Sequence, residues 1–147
     1  YMTVVLSCLA DGTKLPPMVV FKRKTMPKEK FATGILVYVN EKGWMTDELC
    51  DTWLRKVWQK QPGASLQKNS LLIWDMTRDH LAEKCKRTMK EDNITPAVTP
   101  GGCTSLLQPL DVCLNKPFKT KMHEFWCKWM ISGDEEYIAG GNLKRPS

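Results

Sequence analysis

The sequence predicts an α/β domain in which helices cover a mixed sheet. Short runs rich in β-branched and other apolar residues alternate with longer segments of helical periodicity. The predicted order is hairpin, strand, helix, strand, helix, strand, helix, and such alternation is typical of a sheet with helices on its faces. With 147 residues, 42% of them apolar, the chain is long enough to bury a hydrophobic core.

The chain opens with strand patterns. Residues 3–10 are rich in β-branched and apolar types, the turn "ADGTKLPP" contains Asp-Gly, and residues 18–22 resume the strand pattern. This arrangement predicts an antiparallel β-hairpin. After a basic loop, the run "ILVYVN" at 35–40 predicts a further short strand.

A helix is predicted after Thr46. The Thr46 hydroxyl can cap it, and Asp47 and Glu48 place negative charge at the positive end of its dipole. Pro62 and Gly63 close the segment. The apolar residues recur at helical spacing, at positions 49, 50, 53, 54, 57 and 58.

Strand and helix alternate in the second half. The apolar run "SLLIWD" at 70–75 predicts a strand that is buried on both faces. Leu81, Cys85 and Met89 then recur one turn apart, which predicts a helix. The run "ITPAVTP" predicts a short strand that ends at a proline.

A long amphipathic helix is predicted over residues 110–132. Pro117 fits only in its first turn or at a kink, because proline lacks a backbone donor and clashes with the preceding turn. The residues predicted to face inward are Leu114, Phe118, Met122, Phe125, Trp126 and Trp129.

The net charge of +6 makes contact with a polyanion plausible. Nucleic acid is the first candidate, and an anionic membrane is the second. No apolar run approaches the length of about 18 residues that spans a bilayer, and the first residues do not resemble a signal peptide. We therefore expect a soluble domain without a membrane partner.

The six cysteines are spread singly along the chain, without metal-binding pairs. This spacing argues against a structural zinc site and favours reduced thiols in core positions. Four tryptophans lie on helical faces and are also predicted to be core residues, at positions 53, 58, 126 and 129.

Two acids occur at element boundaries. Asp75 ends its predicted strand, where ligand sites form in open α/β sheets, and Asp111 starts the last helix. Carboxylates placed in this way can bind hard divalent cations, as phosphoryl transfer requires. Alternatively, Asp75 caps the following helix and Asp111 complements a helix dipole. Spacing alone does not decide between the two interpretations.

Four stretches resemble the DDE endonuclease domain of pogo and Tigger type transposases and of host proteins derived from them. They are "TVVLSCLADGTKLPPMVVFK", "GWMTDELCDTWL", "LLIWDMTRDHL" and "PGGCTSLLQPLDVCLNKPFK". The last is the most specific, because it combines a proline-glycine loop, Thr-Ser, Gln-Pro, an acid and Asn-Lys-Pro-Phe in fixed order. The resemblance covers nearly the whole chain.

The resemblance implies a ribonuclease-H-like fold in which three acids bind Mg²⁺ or Mn²⁺ and drive strand cleavage and transfer. Asp75 matches the second acid and Asp111 the third. The first acid lies on a central strand that precedes the hairpin in the family, and it has no counterpart here. Asp11 belongs to the hairpin turn and does not replace it. We expect residues 1–147 to lack that strand, to bind no metal and to be inactive in cleavage.

Loss of the central strand would leave two strand edges unpaired. The backbone groups beside Val5, Leu72 and Trp74 would then be exposed next to apolar side chains. We expect either an open gap between the two strands or a direct pairing that closes it. We also expect self-association through these edges.

Three further residues are possible supports of the acids. His80 matches a histidine that follows the second acid in the family, although a histidine in a first helical turn is common. Arg78 can contact a phosphate or neutralise its acidic neighbours. Asn115 can orient Asp111 across one helical turn or remain on a solvated surface.

Basic clusters at 22–30, 84–90 and 116–121 can follow a DNA backbone, although charge runs are usually solvated faces. The residues we predict to contact nucleic acid are Lys22, Arg23, Lys24, Lys116, Lys119 and Lys121.

The resemblance thus predicts a partial DDE endonuclease-like domain at 1–133, followed by a linker or the start of a further segment at 134–147. DNA binding in the nucleus is the expected activity, descended from metal-dependent strand cleavage and transfer. The alternative is a catalytically silent module for protein contacts within a nuclear DNA-binding protein.

Overall fold

A computed structural model describes residues 1–66, 68–75, 83–99 and 110–132. The chain separates into two compact units, Tyr1–Leu110 and Asp111–Ser147. The predicted mixture of sheets and helices is confirmed. Among these residues, no helix combines the length and apolar character needed to cross a membrane. The predicted boundary between residues 133 and 134 stays a prediction.

Three strands form the first sheet, in the order β1 (Met2–Val5), β2 (Met18–Lys22) and β3 (Leu36–Asn40). Strands β1 and β2 are antiparallel, which confirms the predicted hairpin. Strands β2 and β3 are parallel. The connection over residues 23–35 is long enough to return the chain to the same end of the sheet, as parallel pairing requires.

Regular strand pairing in the hairpin stops before its turn. Strand β1 ends at Val5, earlier than predicted, and beyond it Cys8 and Lys14 form an isolated bridge. In the turn, the Asp11 carboxylate accepts the backbone N–H of Thr13 at 2.8 Å. This bond lowers the pKa of Asp11 and agrees with its interpretation as a turn residue.

Helix α1 (Asp47–Lys56) begins as predicted, because the Thr46 hydroxyl accepts the N–H of Leu49 at 3.4 Å. It ends earlier than the apolar pattern indicated. A 3₁₀ turn at Trp58–Lys60 follows it, and this turn still buries Trp58.

The second sheet pairs β4 (Ser70–Asp75) in parallel with β5 (Ile94–Thr99), and helix α2 (Glu83–Glu91) lies between them in sequence. Pro96 lies within β5 and cannot donate a backbone hydrogen bond. It is compatible with an edge strand, and among the described strands β5 pairs only with β4.

One face of β4 is exposed. Leu72 is 5% exposed, whereas Leu71 and Ile73 are 59% and 58% exposed. Alternate residues of a strand point to opposite faces, and only the face of Leu72 belongs to the core. The prediction that β4 is buried on both faces was therefore wrong for the described part of the molecule.

A single hydrophobic core joins both sheets to α1 and α2. Trp53 and Trp58 belong to it, as predicted, and so do the fully buried thiols Cys50 and Cys85. Cys113 is exposed, so the prediction of a core thiol was wrong at that position. The other core residues are Leu15, Met18, Val20, Leu54, Val57, Leu72, Met89 and Ile94.

The second unit contains a π-helical turn, Asp111–Asn115, followed by helix α3 (Lys116–Ile131). Pro117 lies in the first turn of α3, one of the two places where it was predicted to fit. Proline cannot bond the carbonyl four residues earlier and clashes with it. The wider π-helical turn just before Pro117 relieves that conflict.

The apolar stripe of α3 is largely exposed. Met122, Phe125 and Trp126 are 40%, 57% and 50% exposed, so their predicted inward orientation was wrong, and Trp129 is only half-buried. The described part of this unit consists of α3 and the turn before it. It therefore offers no second element of its own against which the stripe could pack.

A buried carboxylate connects α1 to α2. The Thr88 hydroxyl donates to Asp51 at 2.6 Å, and Arg55 Nε approaches both carboxylate oxygens at 3.2 and 3.3 Å. A second Arg55 nitrogen donates to Thr88 at 3.1 Å, and Lys84 Nζ lies 3.6 Å from Asp51. Burial opposes ionisation, but these hydrogen bonds and charges outweigh it, so the pKa of Asp51 is lowered.

We expect Asp51→Asn to lower the free energy of unfolding by about 2 kcal/mol at pH 7, because it removes the charge that Arg55 and Thr88 bind. Arg55 and Lys84 are about half-exposed, so water can solvate their charges in the variant. This solvation limits the loss of stability. The measurement is denaturant unfolding. Because the folded pKa lies below the unfolded value of about 3.9, the contribution is present above that pH and is lost as the pH falls through the folded pKa.

Glu83→Gln is the matched control for this prediction. Glu83 pairs with Lys86 at 2.9 Å, but its side chain is 86% exposed. We expect the control to change stability by less than about 0.5 kcal/mol. Equal effects of the two substitutions would show that the buried network does not stabilise the packing of α1 on α2.

Candidate nucleic-acid interface

Asp75 is the last residue of β4, opposite Thr99 at the end of β5. The carboxyl ends of two parallel strands therefore meet at this edge, where open α/β sheets form their ligand sites. The side chain of Asp75 and residues 76–82, which include Arg78 and His80, lie outside the described part of the structure. The predicted roles of these three residues stay predictions.

Asp111 begins the π-helical turn that leads into α3. Its side chain is outside the described part of the structure, so its predicted approach to Asp75 stays a prediction. Asn115 is half-buried and precedes α3 with helical backbone angles, φ −67° and ψ −43°, and its side chain makes no capping hydrogen bond. Its proposed support of Asp111 is likewise untested.

The donor chemistry of the two acids fits a hard divalent cation, because Mg²⁺ and Mn²⁺ prefer carboxylate oxygens. Among the side chains that the structure describes, no group of three or more histidines, cysteines or acids has the arrangement of a metal site. Asp75 and Asp111 are not among those side chains. Their suitability as metal ligands therefore rests on residue type and on their positions at element boundaries.

The first basic group lies where β2 ends. Lys22 N–H donates to the Tyr1 carbonyl at 3.1 Å, and Arg23 N–H donates to the Asn40 carbonyl at 3.1 Å. The backbone is thus bound on both sides while the side chains of Lys22, Arg23 and Lys24 remain exposed. Lys24 also forms an exposed ion pair with Glu41 at 3.6 Å.

Close packing against Gly43 fixes the backbone at Lys22. A Cβ at Gly43 would lie 2.8 Å from Lys22 Cβ, and Gly43 has φ +70°, which favours glycine. The Gly43 carbonyl accepts a hydrogen bond from the Thr3 hydroxyl at 2.8 Å, and the Gly43 N–H donates to the Asn40 side chain. The basic group therefore projects from a closely packed junction between β1, β2 and β3.

The second basic group lies on α3. Lys116, Lys119 and Lys121 are all exposed, but their surroundings differ. Lys116 and Lys119 line a surface groove together with Asn115 and Thr120. Lys121 Nζ instead lies 2.7 Å from Glu124, and its hydrogen bond and charge lower the pKa of that acid.

Sequence reasoning missed the network around Asp51. The available signal was an acid directly beside Cys50 on the apolar stripe of α1, four residues before an arginine. Its pairing with Thr88 joins residues 37 positions apart and has no sequence pattern. The network fixes α2, the helix that follows β4 and Asp75 along the chain.

Comparisons with known proteins show the family to which the chain is similar. Residues 1–144 match the family described as DDE superfamily endonuclease. The human and mouse proteins named "Pogo transposable element with KRAB domain" are each 34% identical over 145 residues, which cover 99% of this chain and 24% of theirs. The human "Pogo transposable element with ZNF domain" is 37% identical over 123 residues, 84% of this chain and 9% of its own.

The chain spans about a quarter of the length of the KRAB-domain relatives. No solved structure matches it significantly. The family match nevertheless extends over nearly the whole sequence. The chain therefore belongs to the DDE superfamily endonucleases and is related to pogo transposable element proteins.

Proposed function

We propose that this domain binds DNA as part of a nuclear protein descended from a pogo-like transposase. The observation that carries the proposal is the family match over residues 1–144, together with two exposed basic groups on β2 and α3. The proposed contacts with the phosphate backbone are Lys22, Arg23, Lys24, Lys116 and Lys119.

The ancestral chemistry would be cleavage and transfer of a DNA strand. Asp75 and Asp111 would hold Mg²⁺ or Mn²⁺, and the bound ions would activate the attacking hydroxyl and stabilise the leaving oxygen. DDE superfamily endonucleases depend on such divalent metals. Asn115 would orient Asp111, while Arg78 and His80 would lie close to the reacting phosphate.

We also propose a ribonuclease-H-like sheet whose central strand comes from outside residues 1–147. Strands β1 and β4 belong to separate sheets, and each pairs with only one of the described strands. The direct pairing of β1 with β4, one of our two expectations, is thus not found among them. A strand carrying the first acid would pair with both free edges and complete the triad.

The rival proposal is a catalytically silent module that makes protein contacts. It is supported by the names of the relatives, which place pogo-derived segments in proteins with KRAB or ZNF domains. The two proposals differ at the acids, because a module for protein contacts has no need of carboxylates at positions 75 and 111.

We predict that the protein binds duplex DNA with a steep dependence on salt, because phosphate contacts release counterions. Five such contacts correspond to a slope of about −4.5 in a plot of the logarithm of the binding constant against the logarithm of salt concentration. Fluorescence anisotropy at several salt concentrations measures it. Affinity that does not change with salt would contradict the proposed interface.

A second prediction concerns cleavage. Residues 1–147 alone should not nick supercoiled DNA with Mg²⁺ or Mn²⁺, since two acids cannot hold the ion pair that three hold. A longer protein that supplies the first acid should nick it, and Asp75→Asn and Asp111→Asn should each abolish the activity.

Asp11→Asn is the matched control for cleavage, because Asp11 accepts a turn hydrogen bond that asparagine also accepts. It should leave nicking unchanged. Nicking by residues 1–147 that disappears in Asp75→Ala would refute the requirement for a third acid. A longer protein that has the first acid but neither nicks DNA nor binds Mn²⁺ would favour the silent module.

A third prediction concerns the free edges. Residues 1–147 should self-associate, because unpaired strands expose backbone donors and acceptors beside apolar side chains. Adding the residues that precede Tyr1 in a longer protein should restore a monomer, as measured by light scattering after size exclusion. A monomeric, cooperatively unfolding 1–147 would show that no central strand is needed.

A further inference from the structure

We infer that the groove lined by Asn115, Lys116, Lys119 and Thr120 is the surface through which the second unit contacts a DNA phosphate, and that Lys121 is not a contact. The inference rests on the proposed DNA binding. It divides the basic residues of α3, which sequence alone treats as equivalent.

The groove follows from helical spacing. Asn115 and Lys119 are four positions apart, as are Lys116 and Thr120, so each pair lies on one side of the helix. The two pairs occupy adjacent positions around the axis and together form one strip of hydrogen-bond donors. Lys121 follows Thr120 in sequence and therefore lies beyond this strip around the helix axis. It does not line the groove.

Charge pairing separates the lysines further. Lys121 Nζ lies 2.7 Å from Glu124 and 5.5 Å from the centre of the Phe125 ring. Lys128 adds a second positive charge near Glu124. By contrast, neither Lys116 nor Lys119 forms an ion pair with a described residue. Within the described part of the chain, positive charge without an ion-pair partner is therefore found at the start of α3.

A phosphodiester fits this strip. Lysine supplies charge, and threonine and asparagine supply neutral donors, which are the residue types that position a DNA backbone without reading its sequence. The strip begins four residues after Asp111. A DNA strand bound in this groove would pass close to Asp111, the acid that the proposed chemistry requires.

The test measures the salt dependence of duplex binding in the full-length protein that contains this domain. The Lys116→Gln/Lys119→Gln variant should reduce the slope by about 1.8, or about 0.9 per lysine. The matched control Lys121→Gln removes one charge from the same helix and should leave the slope unchanged. Because all three side chains are exposed, thermal unfolding should be the same in every variant.

Chemical acetylation of lysines provides a second measurement, made on the wild-type protein. Duplex DNA should protect Lys116 and Lys119 from an amine-reactive reagent and leave Lys121 reactive. Equal protection of all three lysines would overturn the inference while DNA binding itself stood. So would a reduced salt-dependence slope in Lys121→Gln when the double variant keeps the wild-type slope. No duplex binding by the wild-type protein would overturn the proposed function as well.

An anionic membrane is the competing polyanion. Vesicles containing phosphatidylserine, added in place of DNA, should bind weakly and equally to wild type and the double variant. Vesicle binding that the double variant loses, with duplex binding retained, would assign the groove to lipid headgroups and refute the inference.

Discussion

The packing of α1 holds the first unit together. The two sheets share no ladder among the described strands, so backbone hydrogen bonds do not join them. Their connection is the apolar layer in which Leu54 of α1 and Val57, the residue just after α1, belong to the same core as Val20 of β2 and Leu72 of β4. Burial of apolar side chains on α1, about 1.5 to 3 kcal/mol for each large one, thus replaces the continuity that a single sheet would provide.

This arrangement gives the buried charge of Asp51 a structural role. Apolar packing is not directional, so it positions α2 against α1 only loosely by itself. Asp51 adds a directional set of bonds to Thr88 and Arg55. Burial raises the free energy of the charge, but the two hydrogen-bond donors and the nearby Lys84 charge offset that penalty. These bonds thus orient α2, the helix that follows β4 and Asp75 along the chain.

Sequence reasoning succeeded where a single local interaction decides the structure. The Thr46 cap, the antiparallel hairpin and the position of Pro117 follow from bonds or clashes among residues close in sequence. It failed where burial depends on distant partners. The pattern of β4 reads as apolar throughout, yet Leu71 is exposed, because a strand pattern does not specify whether a second layer covers its other face.

The candidate interface shows a different limit. The lysines at 116, 119 and 121 are equivalent by composition, and the structure distinguishes Lys121 by its contact with Glu124 and by its absence from the groove that Lys116 and Lys119 line.

In the proposed function, affinity for DNA and cleavage of DNA depend on different residues of this domain. Phosphate contacts require positive charge on exposed surfaces, which Lys116 and Lys22 would supply whether or not a metal is bound. Cleavage requires several carboxylates to converge on the same ions, and this geometry is lost when one acid is missing. A lineage can therefore lose the chemistry through one strand or one acid and still keep its attachment to DNA. The two basic groups, one in each compact unit, are the features that we expect such a lineage to retain.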